Sequence, residues 1–486
     1  GLAPDATYQF KHALIRDAAY EALLKSRRKE LHLRVAQTID SQFATLKENH
    51  PEVLARHWTE AGEIEPAVAE WTRAGKSAES RNAFPEARES YQQAMTLLKL
   101  LPESTERDAR ELELMGTLAQ VLMVTRGFSA PEMRAAAERA RDLAEKGGNP
   151  DQLATQLIGI WQSAIGAGEY STAGLVADRL LDLAQREGSP AIFGFAYRAQ
   201  IQVTFFRGDL ATVDEHFAHL SRFLDADGFR QFPGAGVEPV GIAALSAWTS
   251  GRADSARERM AQGIAFARDS GRPYDLAVGR LFEGLLCCYL REPMQAEVAA
   301  AQALAIAQEH GFPFVTDLTR PVLGRVWAEL GRTGEGVALI RQGLAGLAEA
   351  GSRPVITFRL TNLAEAQALD GKIDDALITI EQVLQANPEE LVSRPYALTC
   401  RGELQLKLGR TALAEADLRE AITLAQKMSA KAWELRAATS LARLLGESGR
   451  RDEARAMLKE IYGWFTEGFD TADLKEAKAL LEELGA

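Results

Sequence analysis

One phrase, a tight turn followed five residues later by a small side chain, returns about every 40 residues through most of this 486-residue chain. The turn positions are Gly168, Gly208, Gly251, Arg291, Gly331, Gly371, Gly409 and Gly449, at intervals of 40, 43, 40, 40, 40, 38 and 40. Glycine closes a helix in the left-handed region without a Cβ clash. Five residues on stand Ala173, Val213, Ala256, Ala296, Gly336, Ala376, Ala414 and Ala454. Seven residues before the later turns a second small position recurs: Gly284, Gly324, Ala364, Gly402 and Ala442. Small sites facing each other across a hairpin let two helices approach at the short end of the roughly 8–10 Å packing range. A hairpin built this way cannot cover its own outer apolar stripe, so neighbouring units must stack. The expectation is an all-α protein, a right-handed α-solenoid of helix-turn-helix repeats with a period of about 40 residues.

Composition removes other classes. With 68 acidic against 56 basic residues the net charge is -12, which argues against a nucleic-acid partner, and 46% hydrophobic residues exclude global disorder. Three cysteines, Cys287, Cys288 and Cys400, form neither a disulfide framework nor a metal-ligand spacing, which fits a reducing, cytoplasmic setting. No apolar run is long enough to span a membrane, and the start lacks the pattern of a signal peptide. The chain opens at Gly1 directly before an amphipathic segment, so it reads as the downstream part of a longer protein.

Tempting chemistry is better explained by packing. Gly75-Lys76-Ser77 resembles the end of a phosphate loop, but Glu70 stands where the earlier glycine belongs, and Gly75 lies seven before the turn at Asn82, the small packing position. His216 and His219 lack a third ligand at metal spacing, and Cys287-Cys288 sits among leucines. No catalytic residue, metal site or enzyme activity is expected in this chain.

Within NLAEAQALDGKIDDALITIEQVLQANP, Leu363, Ala364, Gly371, Ala376 and Pro388 fall in order on the small, turn and terminating positions of the tetratricopeptide repeat, which the array therefore resembles. Its period is longer than that repeat's usual 34 residues and resembles the long repeats of bacterial signal-transduction ATPases. Upstream, Phe10, His12, Leu14, Ile15, Asp17, Tyr20, Arg28, Leu31 and His32 are similar to the phrase that closes the winged-helix part of such ATPases. Tyr462 to Leu484 looks like the closing segment of proteins that join a class III adenylate or guanylate cyclase domain, a P-loop ATPase and a C-terminal repeat array. The resemblance implies a parent that uses ATP or ADP, with His12 as a nucleotide sensor there, and no cofactor in this chain. It also implies four parts: a winged-helix remnant at 1–46, atypical first repeats at 47–147, the array at 148–468 and a capping helix at 469–486. Two helices are expected at the start, separated by the basic knot Lys25, Arg27, Arg28 and Lys29.

If the units stack, the first helix of each hairpin lines a concave inner wall. Six residues before each turn stand Gln162, Gln202, Leu245, Leu285, Arg325, Glu365, Glu403 and Arg443, and neighbouring positions add Arg198, Trp248, Tyr289 and Tyr396. An apolar centre with a polar rim suits a protein or peptide partner, or the parent's own upstream domains. The leading expectation is a protein-interaction scaffold or sensor arm of a cyclase-ATPase signalling protein. The alternative is the effector-binding arm of an ATPase-type transcriptional activator. No membrane partner is expected.

Overall fold

The computed structural model describes residues 20–126, 150–353 and 356–485, with 139 and 143 as single positions. His12 and most of the stretch 127–149 lie outside the described residues. Among these there are 23 helices and no strand. The chain divides into two compact units between Val121 and Leu122.

The first unit contains α1 (Lys25–Gln42), α2 (Ala44–Asn49), α3 (Pro51–Ala61), α4 (Ile64–Ser80), α5 (Phe84–Leu98) and the start of α6 (Thr105–Arg126). The break between the two expected helices falls at 22–24, just ahead of the basic knot, and Lys25 to Lys29 form the first turns of α1. Long basic side chains keep their charges in water while their backbone propagates the helix, so a cationic cluster is no helix stop. Gly75 serves packing: a Cβ there would stand 2.4 Å from the Tyr91 ring. Between α1 and α3, His32 Nδ1 and His57 Nδ1 are 2.8 Å apart, and Tyr20 Oη lies 3.0 Å from His32 Nε2.

Among its described residues the second unit shows eight stacked helix hairpins: α7 (Pro150–Ala167) with α8 (Tyr170–Glu187), α9 (Pro190–Phe206) with α10 (Leu210–Leu220), α11 (Val237–Thr249) with α12 (Ala253–Asp269), α13 (Pro273–Tyr289) with α14 (Pro293–Glu309), α15 (Pro313–Glu329) with α16 (Thr333–Glu349), α17 (Ile356–Leu369) with α18 (Ile373–Ala386), α19 (Arg394–Lys407) with α20 (Thr411–Lys427), and α21 (Lys431–Glu447) with α22 (Arg451–Tyr462), which together form a solenoid. A last helix, α23 (Ala472–Gly485), covers the end. All eight turn residues have φ between 60° and 90°, Arg291 included. The residues five positions on are buried at the hairpin contact. The closest approach is in α15–α16, where a Cβ on Gly324 would lie 2.6 Å from the Gly336 carbonyl oxygen.

First helices pack against both their own partner and the first helix of the next hairpin, so most of their faces are covered; second helices keep an outer face in water. Asp473 of α23 is buried and accepts from Arg436 Nε at 3.0 and 3.1 Å, while Glu476 pairs with Arg291 and Arg443.

A seam closes the second unit on itself. Backbone N–H groups of Leu391 and Val392 donate to the Phe206 carbonyl at 2.9 and 3.3 Å, and that of Arg353 donates to Gly166 at 2.9 Å. Asn387 Nδ2 donates to the Gly168 carbonyl at 2.9 Å, and the Ser171 N–H donates to Glu389 at 2.6 Å. Farther along, Glu467 accepts from the first N–H groups of α12, and Arg291 pairs with Asp473. Loops between late hairpins thus seat on the turns of early ones.

Candidate functional site

The seam brings α17 beside α7 and α9, so the first helices of six successive hairpins surround a cavity of about 120 Å³. Its wall is mainly apolar: Ile165, Phe205 and Phe206, Ile242 and Leu245, Leu281, Phe282 and Leu285, Phe314, Leu318 and Val322, and Phe358. Gln202, Glu238, Arg359 and Ser393 add polar groups. These side chains converge because the inner stripe of each first helix recurs at three- and four-residue steps and is repeated by stacking.

Four sequence-derived wall residues, Gln202, Leu245, Leu285 and Tyr289, meet at this cavity. The rest of the row is placed differently. Gln162 is buried. Arg198 is fully buried, donates through Nη2 to Glu238 Oε2 at 2.5 Å, and lies over the rings of Trp161 and Phe232 at 5.3 and 5.6 Å. Trp248 is also buried: its ring centroid is 4.7 Å from Tyr289 and 4.8 Å from Trp433. Trp433 in turn stacks on Tyr396 at 4.9 Å, and Phe358 meets Tyr289 at 5.4 Å. Arg436 covers this cluster, 4.8 Å from the Trp248 ring, and donates to the Tyr289 carbonyl. The aromatic centre read from the sequence as a contact surface is largely consumed by contacts within the chain.

Beyond the cluster the wall becomes charged. Arg325 Nε lies 2.9 Å from Glu329 and 3.2 Å from Glu365, whose carboxylate also accepts from the Tyr396 hydroxyl. Burial by itself would lower the Arg325 pKa, but Glu365 foremost, with Tyr396 and Glu329, raises it well above its ordinary value. Glu403 and Arg443 reach the surface, where Glu403 accepts from Ser440 Oγ at 2.7 Å and Arg443 pairs with Glu476. At the cavity, burial pushes the Glu390 carboxyl up against the opposing pull of Arg359, and burial brings Arg359 down to about 10. The thiols of Cys287 and Cys288 are pushed up to about 12 by burial, which leaves them poor nucleophiles.

The sequence row missed Phe282, Leu318, Phe314, Phe358 and Arg359. A usable signal was there: stepping back three, four and seven residues from Leu285 reaches Phe282, Leu281 and Val278, all in the wall. His216 and His219 lie against Tyr197, His219 stacked at 5.1 Å. Among the described residues no three His, Cys, Asp or Glu side chains are grouped to hold a metal, and no helix is long and apolar enough to cross a membrane.

Fold and wall together define the class: an α-solenoid of tetratricopeptide-like hairpins. Comparisons with known proteins agree at that level. No protein-family model matches the chain. It is 26% identical over 461 residues to an uncharacterized protein of Rhizobium meliloti (strain 1021), covering 90% of this chain and 43% of that protein. The chain therefore spans less than half the length of this relative. Among solved structures it is similar to the APC/C hetero-tetramer Cut9–Hcn1, with a TM-score of 0.53, 12% identity, and 97% of this chain and 85% of that one covered. It is also similar to a Rap protein complexed with Competence and Sporulation Factor, with a TM-score of 0.53, 15% identity, and 78% of this chain and 100% of that one covered.

Proposed function

We propose that this chain is the protein-interaction arm of a larger nucleotide-cyclase and ATPase signalling protein. The arm holds a protein or peptide partner, or the parent's own upstream domains, on the charged stretch of its inner wall, and carries out no catalysis itself. The observation that carries this reading is the row running from the aromatic cluster through Glu365 to Glu403 and Arg443, whose last two members are exposed on successive hairpins. Exposed charges on successive hairpins offer a partner complementary ion pairs that set its register and specificity. The fold shared with the Rap protein, solved with its factor, supports a peptide or protein ligand, and the relative's greater length supports an arm within a larger protein.

The test is capture of binding partners by the intact chain and by the double variant Glu403→Lys with Arg443→Glu. Both residues are exposed, so helix content should stay unchanged while a specific partner, upstream region included, is lost. Equal capture by the two proteins would remove the charged row from the interface.

A further inference from the structure

The cavity is built differently from an open peptide groove. The inner helices α7, α9, α11, α13, α15 and α17 encircle it, and the seam at Phe206 closes the circle. Tyr289 and Phe358 in its wall belong to the aromatic cluster with Trp248, Tyr396 and Trp433, so the lumen is filled on that side. A peptide threading the circle would have to displace those rings. At about 120 Å³ the space is near that of an apolar protein cavity of about 150 Å³ that takes up benzene. It suits one ring and its substituents.

Charge and hydrogen bonding narrow the occupant further. Glu238 is paired with Arg198, and burial already disfavours the charged form of Arg359, so the wall is poorly suited to a further charge. A charged ligand would be desolvated there without a counterion of its own. Gln202 is only 5% exposed, and its Nε2 donates to Glu238 Oε2 at 3.3 Å, which fixes the amide orientation. Its Oε1 is left buried without a hydrogen-bond partner, a costly state that a ligand's N–H or O–H would relieve.

We propose that the lumen pocket binds a free, uncharged small molecule the size of one aromatic ring bearing a single hydrogen-bond donor. The ring packs against Phe282, Leu285 and Leu318, and the donor faces Gln202 Oε1. This site is separate from the charged row.

Titrating the intact chain calorimetrically with phenol and with toluene tests it. Phenol should bind saturably at one site, about fivefold more tightly than toluene, the ratio one net hydrogen bond supplies. Gln202→Leu should erase that ratio while keeping toluene binding. Leu285→Trp and, independently, Leu318→Phe should fill the space and abolish binding of both probes with the circular dichroism spectrum retained. Absence of saturable phenol binding to the unaltered chain overturns the proposal, as does binding that survives both filling variants. Tighter binding of benzoate or benzylammonium than of phenol overturns the uncharged class. A tyrosine-containing tripeptide binding more tightly than phenol replaces the free molecule with a peptide. None of these results alters capture through Glu403 and Arg443, so the two readings fail separately.

Discussion

Glu467 holds Ser255 with both carboxylate oxygens: Oε1 accepts from the Ser255 N–H at 3.0 Å and Oε2 from its hydroxyl at 3.3 Å. Oε1 also accepts from the Asp254 N–H at 3.0 Å, and Asp254 returns a contact by accepting from the Gly468 N–H at 3.2 Å. A residue more than 200 positions downstream thus caps a helix whose own N-cap, Arg252, offers no side-chain acceptor. Glu467→Ala should cost about 1 kcal/mol, the usual worth of a lost cap. Urea unfolding measures the loss, and amide exchange at Asp254 and Ser255 should accelerate. Unchanged protection there would show that the cap does not hold the seam.

Arg325 supports a buried ionic cluster instead of lying free for a partner. Arg325→Ala leaves Glu365 and the Tyr396 hydroxyl facing each other without their cation, and should destabilise the unit by about 3 kcal/mol. Removing Glu365 together with Arg325 should cost less than the sum of the two single changes, because each single change strands the other charge. Additive losses in denaturant unfolding would mean that the two are not coupled.

Ala376 is fully buried in the core shared by Ala364, Ile380 and Ala397. Ala376→Leu forces three extra carbons into the α17–α18 contact and should cost about 1–3 kcal/mol. A melting temperature equal to that of the unaltered chain would show that this hairpin has room to spare.

The histidine pair of the first unit predicts a pH dependence. Burial, followed by the charges of His32 and Arg56, lowers the His57 pKa, so the folded state prefers the neutral ring that faces His32 Nδ1. A proton on each facing nitrogen would leave two donors opposed at 2.8 Å. The unfolded chain binds that proton more readily, so the stabilisation is complete above the unfolded value near 6.5 and is lost as pH falls through it toward the lowered folded value. Amide exchange in α3 should therefore accelerate between about pH 6.5 and 5, a window set by the ordinary histidine pKa. His57→Gln should flatten that dependence.

The repeat was legible because its signals are local. A positive φ at Gly331 or Gly371 and the small residues five positions after them, Gly336 and Ala376, must appear in the sequence at fixed spacing, whatever the rest of the chain does. Inner-wall positions such as Gln202 and Leu285 followed from the same period. The seam was not legible: nothing near Glu389 or Glu467 in sequence announces that each completes a distant helix start. The faint clue was negative. Asp209 caps its own helix through the Thr212 N–H, whereas Glu169 and Arg252 cap nothing. Because the seam was unseen, Arg198, Trp248 and Tyr396 read as surface for a partner, when closing the circle had turned them inward.

An open row of repeats holds only neighbouring units together, so it can fray from either end and fold from any point along its length. The bonds from Leu391 to Phe206 and from Glu467 to Ser255 remove that freedom. They raise the mean separation of contacting residues in a chain whose other contacts mainly join neighbouring hairpins, and high contact order slows folding. Losing the last hairpin should therefore loosen units some five repeats away, and the array should unfold as one cooperative body instead of unravelling.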